Sequence, residues 1–314
     1  NKPICKYSLN MNVSRFLSDK NENNISSLRT YLFKNYIKTV IEKNDPDAKN
    51  FRIMFIGNRF KSDFNNPISF ECNGIIFNYN RDTNKFTPLL IPVQLFNSQK
   101  LIRSEINNFI NNDTYEVHKV HDGTIVNLYY YNNSWRISTN KAYDATDLIF
   151  LNGKTYIDIL MEILHQYPEF NFNKLEQHKC YTICFKYIDY HPFIENQFNT
   201  VNRIILIQSV NMEKFNNDGE IEIKRDENIG LPISERINLN PDDNINNITD
   251  TLNNEITRFK KQHKDANYVP KYGLILRSKD FSKTKNYSNI LLESNLMAKI
   301  RNFVYNHNLR KELY

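Results

Sequence analysis

Between His118 and Gly123 the chain sets two imidazoles, one amine and one carboxylate within six residues, His118-Lys-Val-His-Asp-Gly123. A lysine amine or a histidine imidazole can attack phosphorus, and a nearby carboxylate can hold a ribose or a divalent metal. Lys119 is the amine in this group, and Asp122 with Gly123 forms a turn. His121 has the chemistry for a phosphoramidate, although a turn histidine facing solvent is its plainer account. His178, Cys180, Cys184 and His191 form a second capable group. Their donors would all come from one short segment, with no second cysteine pair to close a tetrahedral zinc site. Alternation in CYTICFKY, Cys180 to Tyr187, reads instead as a strand with its small thiols packed inside. No metal site is expected.

Strands must position most of these residues. FRIMFI from Phe51, ECNGIIFNYN from Glu71 and TPLLIPVQLF from Thr87 carry strand-like apolar runs. TIVNLYYY and SWRIS, joined by Asn132-Asn133, predict a hairpin. CYTICFKY, NRIILIQSV, EIEIK and YGLILRS add further strands. Helical spacing appears over Ile25 to Lys43, where Leu28, Tyr31, Leu32, Tyr36, Ile37 and Ile41 make a stripe ended by Asp45-Pro-Asp47. Further helices are expected over Leu101 to Asn111, Tyr156 to Gln166, Ile248 to Gln262 and Leu296 to Asn306. Hairpins outnumber crossovers, so an α+β fold of largely antiparallel sheets flanked by helices is expected, and a Rossmann sheet is not.

A chain of 314 residues, 40% hydrophobic and 13% aromatic, can bury a sizeable core. Its net charge of +6 arises from 41 basic and 35 acidic side chains that are interspersed. That balance permits phosphate contact without requiring it. Basic residues thicken from Arg258 to Lys285 and again from Lys299 to Lys311. No apolar run is long enough to span a membrane, so no transmembrane helix is expected, and a signal peptide is not expected either. Abundant Asn and Lys beside only 7 glycines resemble the product of an AT-rich genome.

Five blocks in order carry a resemblance. ECNGIIFNYN followed by PVQLFN is similar to E-C-R-G-I-x-F and K-F-F-N. KVHDGTIV with WRISTN resembles the K-x-D-G nucleophile motif and the strand after it. CYTICFKY with NRIILI is similar to F-E-F and N-R-I-V. YGLILRSKD and NILLESNLM are similar to E-G-x-V and K-x-K. Together these resemble the adenylyltransferase domain of ATP-dependent RNA ligases of the phage type, and RNA-ligase-like proteins of large DNA viruses. The match runs from about Phe51 to Asn306.

The resemblance implies a nucleotidyltransferase fold whose active site has been dismantled. The nucleophile slot falls on Val120, which cannot attack a phosphate. The first-block arginine becomes Asn73 and the lysine before F-F-N becomes Gln94. The F-E-F glutamate falls on Cys184 and the E-G-x-V glutamate on Tyr272. The K-x-K lysines fall on Leu291 and Glu293, the latter a reversal of charge. Asp122 and Gly123 are kept, so scaffold survives where charge is lost. The residues that would supply covalent chemistry are gone, hence no catalytic residue, no cofactor and no metal are expected.

The competing reading keeps an active ATP-dependent ligase with Lys119 as a displaced nucleophile, using ATP and magnesium. Side chains alternate along a strand, so Lys119 should face away from the slot at Val120 unless a bulge turns it. A third reading is nucleic-acid binding on the same fold, with Arg277 and Lys279 as phosphate contacts and Tyr129, Tyr130 and Tyr131 as stacking surfaces. Cross-strand packing is the plainer role for those tyrosines, and a core anchor for Trp135. The expected organisation is an N-terminal helical segment over 1–50 and the ligase-like domain over 51–314, with no OB domain. The partner expected is another protein of a viral assembly, with nucleic acid as the alternative and no membrane. The location expected is host cytoplasm or virion.

Overall fold

The computed structural model describes residues 7–10, 25–41, 51–58, 67–80, 82–83, 85–94, 115–121, 123–187, 202–213, 220–237, 246–247, 250, 254, 257, 261, 273–279 and 289–293. Three sheets organise them. The largest has the order β1 (Tyr7–Asn10), β13 (Glu220–Lys224), β12 (Arg203–Asn211), β11 (Lys179–Lys186), β7 (Thr124–Tyr131), β8 (Ser134–Ser138). A second runs β2 (Ile37–Ile41), β3 (Phe51–Asn58), β4 (Asn73–Asn80), β5 (Lys85–Leu90). The third runs β14 (Arg236–Ile237), β6 (Tyr115–Lys119), β15 (Gly273–Ser278), β16 (Asn289–Glu293). A small ribbon pairs β9 (Ile149–Leu151) with β10 (Lys154–Thr155). Every strand pairing is antiparallel; one isolated parallel bridge joins Leu206 to Ile233.

Helices are few among the described residues: α1 (Ile25–Lys34), α2 (Pro67–Glu71), α3 (Tyr156–Leu164) and scattered helical positions from 246 to 261. The expected sheets are therefore present, and the flanking helices are a smaller part of the fold than α+β implied. The stretch expected to be helical to Lys43 turns after Lys34, where Tyr36 takes a φ of 57°, and becomes β2. Ile37, Thr39, Val40 and Ile41 are β-branched, and pairing with β3 offers them a better place than another helical turn. Both β1 and β2 come from the first 50 residues and join different sheets. The helices expected at Leu101–Asn111 and Leu296–Asn306 lie outside the described residues, as do Cys5 and the stop at Asp45-Pro-Asp47.

Period-2 alternation in β7 divides the interior into two cores. Val126 and Leu128 join a cluster with Ile137, Ile183, Phe185 and α3, while Tyr129 and Tyr131 join another with Ile56, Ile75, Phe77 and α1. All eight residues of β11 are buried, as a strand covered on both faces requires. Helix α3 begins where Thr155 and Asp158 cap each other: Thr155 Oγ1 accepts from the Asp158 N–H, and the Asp158 carboxylate accepts from the Thr155 N–H at 2.8 Å. Ile159, Leu160, Ile163 and Leu164 then recur at helical spacing and are buried against the large sheet. At the β7–β8 turn Asn132 and Asn133 both take positive φ, 54° and 59°, as a two-residue hairpin of this hand needs.

Candidate functional site

The strand β6 delivers the chain to the slot at Val120. Its register with β15 sets Glu116 opposite Arg277 and His118 opposite Ile275, while Lys119 stands opposite Leu274. Alternation therefore puts Glu116, His118 and Arg277 on one face and Lys119 on the other. Lys119 is about half exposed there, and its Nζ lies 2.7 Å from Glu235 Oε2. Val120, half-buried, follows the strand end. No bulge is recorded between β6 and β15 to turn Lys119 inward.

The slot abuts β11. A Cβ added to Gly123 would stand 2.4 Å from the Phe185 carbonyl oxygen and 2.8 Å from Cys184 Sγ, so the turn lies flat on that strand. Cys184 is a free, buried thiol. It shares a face of β11 with Thr182 and Lys186, both buried, and Thr182 Oγ1 donates to Asn127 Oδ1 at 2.8 Å.

One buried carboxylate organises the cationic residues. Glu116 Oε2 accepts from Arg225 Nη1 at 3.1 Å and lies 3.3 Å from His118 Nε2, and Oε1 pairs with Arg236 Nη1 at 3.1 Å. Arg225 also donates from Nη1 and Nη2 to the Ser278 carbonyl, each at 3.1 Å. Arg277, only 4% exposed, has no such contact from Nε or Nη1 among the described residues. Burial, and then the Arg225 charge, pull its guanidinium down to about 9, while Glu116 opposes them. Burial likewise lowers His121 to about 4, helped by the charges of Arg203, Arg277 and His118 against Glu235. His118 is lowered too, by burial first, with its Glu116 contact opposing and Arg277 and Arg225 assisting.

These depressed imidazoles fix a pH response. A histidine whose folded pKa lies below its unfolded value binds fewer protons folded than unfolded, so stability present above about pH 6.5 is lost as pH falls toward the folded value. The melting temperature is expected to drop between pH 6.5 and 5, above the range where most carboxylates titrate. His121→Gln should flatten that drop; an unchanged slope in the variant would contradict it. Glu116, Glu235, Arg203, Arg225, Arg236 and Arg277 are the charged groups facing the pair.

The remaining slots are scattered. Asn73 is buried, and its amide donates to the Val93 carbonyl at 3.2 Å, so it closes a loop rather than reaching a ligand. Gln94 is half-buried just beyond that carbonyl. Leu291 and Glu293 hold register positions opposite Ile275 and Gly273 on β16. Lys279 is half-buried, two residues past Arg277. Asp122 and Tyr272 lie outside the described residues. Cys180 is part of the first core, with its Sγ 3.5 Å from the Ile91 N–H. Tyr129 is buried and donates from its hydroxyl to the Tyr143 carbonyl at 2.7 Å, which leaves no free ring face for a base. Trp135 packs edge-on to Tyr130 at 5.4 Å and beside Tyr181 at 5.9 Å, as a core anchor does. Sequence reading missed Glu116, Arg225 and Arg236, and it did not connect His118 to them. Its one available signal was the polar pair Glu116 and His118 alternating with apolar Tyr115 and Val117.

Sequence comparison supports the resemblance to viral RNA-ligase-like proteins. Two curated proteins of African swine fever virus, both named "Putative RNA-ligase", match it. The one from a Malawi tick isolate is 26% identical over 265 residues, covering 77% of this chain and 57% of that protein. The one from the Pretoriuskop isolate is 27% identical over 261 residues, covering 76% and 56%. The chain thus spans a little over half the length of these relatives. No protein-family model matches it. Among solved structures, a "Putative ATP-dependent DNA ligase" from Aquifex aeolicus aligns with a TM-score of 0.42 and 9% identity, over 87% of this chain and 63% of that one. The Naegleria gruberi RNA ligase with PPi aligns with a TM-score of 0.32 and 8% identity, over 87% and 98%. No helix among the described residues is long and apolar enough to cross a membrane.

Proposed function

We propose that this chain is a catalytically inactive, RNA-ligase-like domain with a nucleotidyltransferase fold that works by binding, as an interaction subunit of a viral assembly. One observation carries the reading. Lys119 stands on the opposite face of β6 from Glu116 and His118 and is engaged by Glu235, and the resemblance assigns the nucleophile position to Val120. An amine facing away from the pocket cannot reach an α-phosphate held there, and valine has no lone pair to offer. Cys184 supports the reading: by the resemblance, a buried thiol stands where the family's chemistry uses a carboxylate. Exposed apolar side chains supply a surface for a protein partner. Leu148, Ile149 and Met161 are 50%, 72% and 42% exposed on β9, the residue before it and α3.

Incubation with α-labelled ATP or GTP and magnesium or manganese, then denaturing electrophoresis, tests the reading. No labelled band is expected. A band that disappears in Lys119→Ala would make this an active nucleotidyltransferase with a displaced nucleophile. Nucleic-acid binding is a second reading, favoured by the cationic side chains Arg203, Arg225 and Arg277 at the slot.

A further inference from the structure

Seven large apolar or aromatic side chains stand exposed among the described residues, and five of them fall into two groups. Single exposed apolar residues are ordinary, whereas grouped ones mark an interaction surface. Phe33 and Tyr36, 68% and 55% exposed, form the first group at the end of α1. Exposed Arg29 lies one helical turn before Phe33, exposed Lys34 follows it, and α1 holds no acidic residue. The Tyr36 N–H donates to the Phe33 carbonyl at 3.0 Å, and its positive φ closes the helix where glycine is usual. Leu148, Ile149 and Met161 form the second group, around the start of α3. Backbone bonds hold it together. The Tyr156 N–H donates to the Leu148 carbonyl at 3.0 Å, the Ile157 N–H to the Thr146 carbonyl at 3.2 Å, and Ile149 pairs with Thr155. Met161 follows one turn beyond Ile157. The charges here have the other sign. Asp147, Asp158 and Glu162 are exposed beside the apolar group, and the lysine among them, Lys154, is held by Glu162 at 2.6 Å.

The two groups sit on opposite sides of the largest sheet. Along β11, Cys180 enters the core that α1 covers and Tyr181 enters the core that α3 covers. Neither group can therefore reach the other within one molecule. We infer that the α1 group of one copy of this chain docks on the α3 group of a second copy, a head-to-tail contact in which cation-flanked aromatic residues meet acid-flanked aliphatic ones. The inference rests on the reading of the α3 surface as a protein-binding one, and it names the partner. Charge selects this pairing over a symmetric one. Two α1 groups face to face would set Arg29 and Lys34 against their own kind, and two α3 groups would do the same with Asp147 and Asp158. Joined head to tail, the same residues attract, and the five apolar and aromatic side chains supply the area removed from water. Each copy then keeps one group unused, so association continues into a ring or an open filament.

Sedimentation velocity on the full chain, from about 1 µM to about 200 µM, tests the contact over the range in which a modest interface dissociates. Size is expected to grow with concentration. Raising salt from about 50 mM to about 500 mM should weaken that growth, because the flanking charges are screened. Phe33→Glu and Ile149→Lys each remove an apolar contact and oppose the charge around it. Either alone is expected to weaken association at least about tenfold. Both should melt with the wild type at low concentration, because the side chains replaced are exposed. Mixing the two variants is decisive. Phe33→Glu keeps a sound α3 group and Ile149→Lys keeps a sound α1 group, so the mixture should form a one-to-one complex that grows no further. A misfolded variant could not restore that complex. Four results would overturn the proposal: a wild type that stays monomeric unless another protein is added, association indifferent to salt, association kept in either variant, or a mixture that stays monomeric. The same preparations exposed to α-labelled ATP separate the two readings. A labelled band sinks the inactive-domain reading alone, whereas a monomeric chain without label sinks only the self-association.

Discussion

Glu116→Ala is expected to cost about 3–5 kcal/mol of unfolding free energy, the range for removing one partner of a buried ion pair. The carboxylate is the common acceptor of Arg225, Arg236 and His118, and it is the buried counter-charge facing Arg277 in the strand register. Arg236 is close to half exposed and can turn to solvent, but Arg225 is 5% exposed and cannot. Without Glu116 two guanidinium groups remain in the interior without their shared counter-charge, and Arg225 keeps its bonds to the Ser278 carbonyl. Their desolvation is then uncompensated. Urea denaturation of the wild type, Glu116→Ala and Glu116→Gln measures the effect. Glutamine keeps an acceptor and the shape, so it should fall between the other two. A loss below about 1 kcal/mol for alanine would mean that the arginines are solvated, as surface ion pairs are.

Gly123→Ala is the second large effect. The added methyl would stand 2.4 Å from a backbone oxygen of β11, and that strand is hydrogen-bonded on both sides by β7 and β12. The Cys184 thiol at 2.8 Å can rotate away, but the Phe185 carbonyl cannot move without breaking its sheet. The turn must lift instead, carrying Val120 and His121 with it. The expected loss is on the order of 3 kcal/mol, the upper part of the overpacking range. Thermal unfolding should show it. An alanine variant as stable as the wild type would show that the turn does not rest on β11.

Local chemistry was legible in the sequence and long-range chemistry was not. The Asn132-Asn133 hairpin could be read because only a few residue types tolerate two successive positive φ values. Helix α3 could be read because Thr155, Asp158 and four buried aliphatic residues announce a capped, amphipathic helix. The far end of the first predicted helix failed: Ile37 and Ile41 satisfy helical spacing and strand alternation alike, and only the presence of β3 decides between them. At the site, the face of Lys119 followed from alternation alone. The Glu116 cluster did not, because its members come from four separated segments. Glu116 meets Arg277 only through the register of β6 on β15, and Arg225 arrives from the end of β13. Nothing within either segment specifies that encounter.

The N-terminal strand β1 carries a last consequence. It pairs with β13 from Tyr7↔Ile223 to Asn10↔Glu220, at one margin of the largest sheet. An uncovered margin offers a row of unspent amide and carbonyl groups to any passing strand, the usual route to self-association. Four residues from near the start of the sequence thus act as a guard for a strand far along it. A shortened version lacking them would put solubility at risk before it touched the slot.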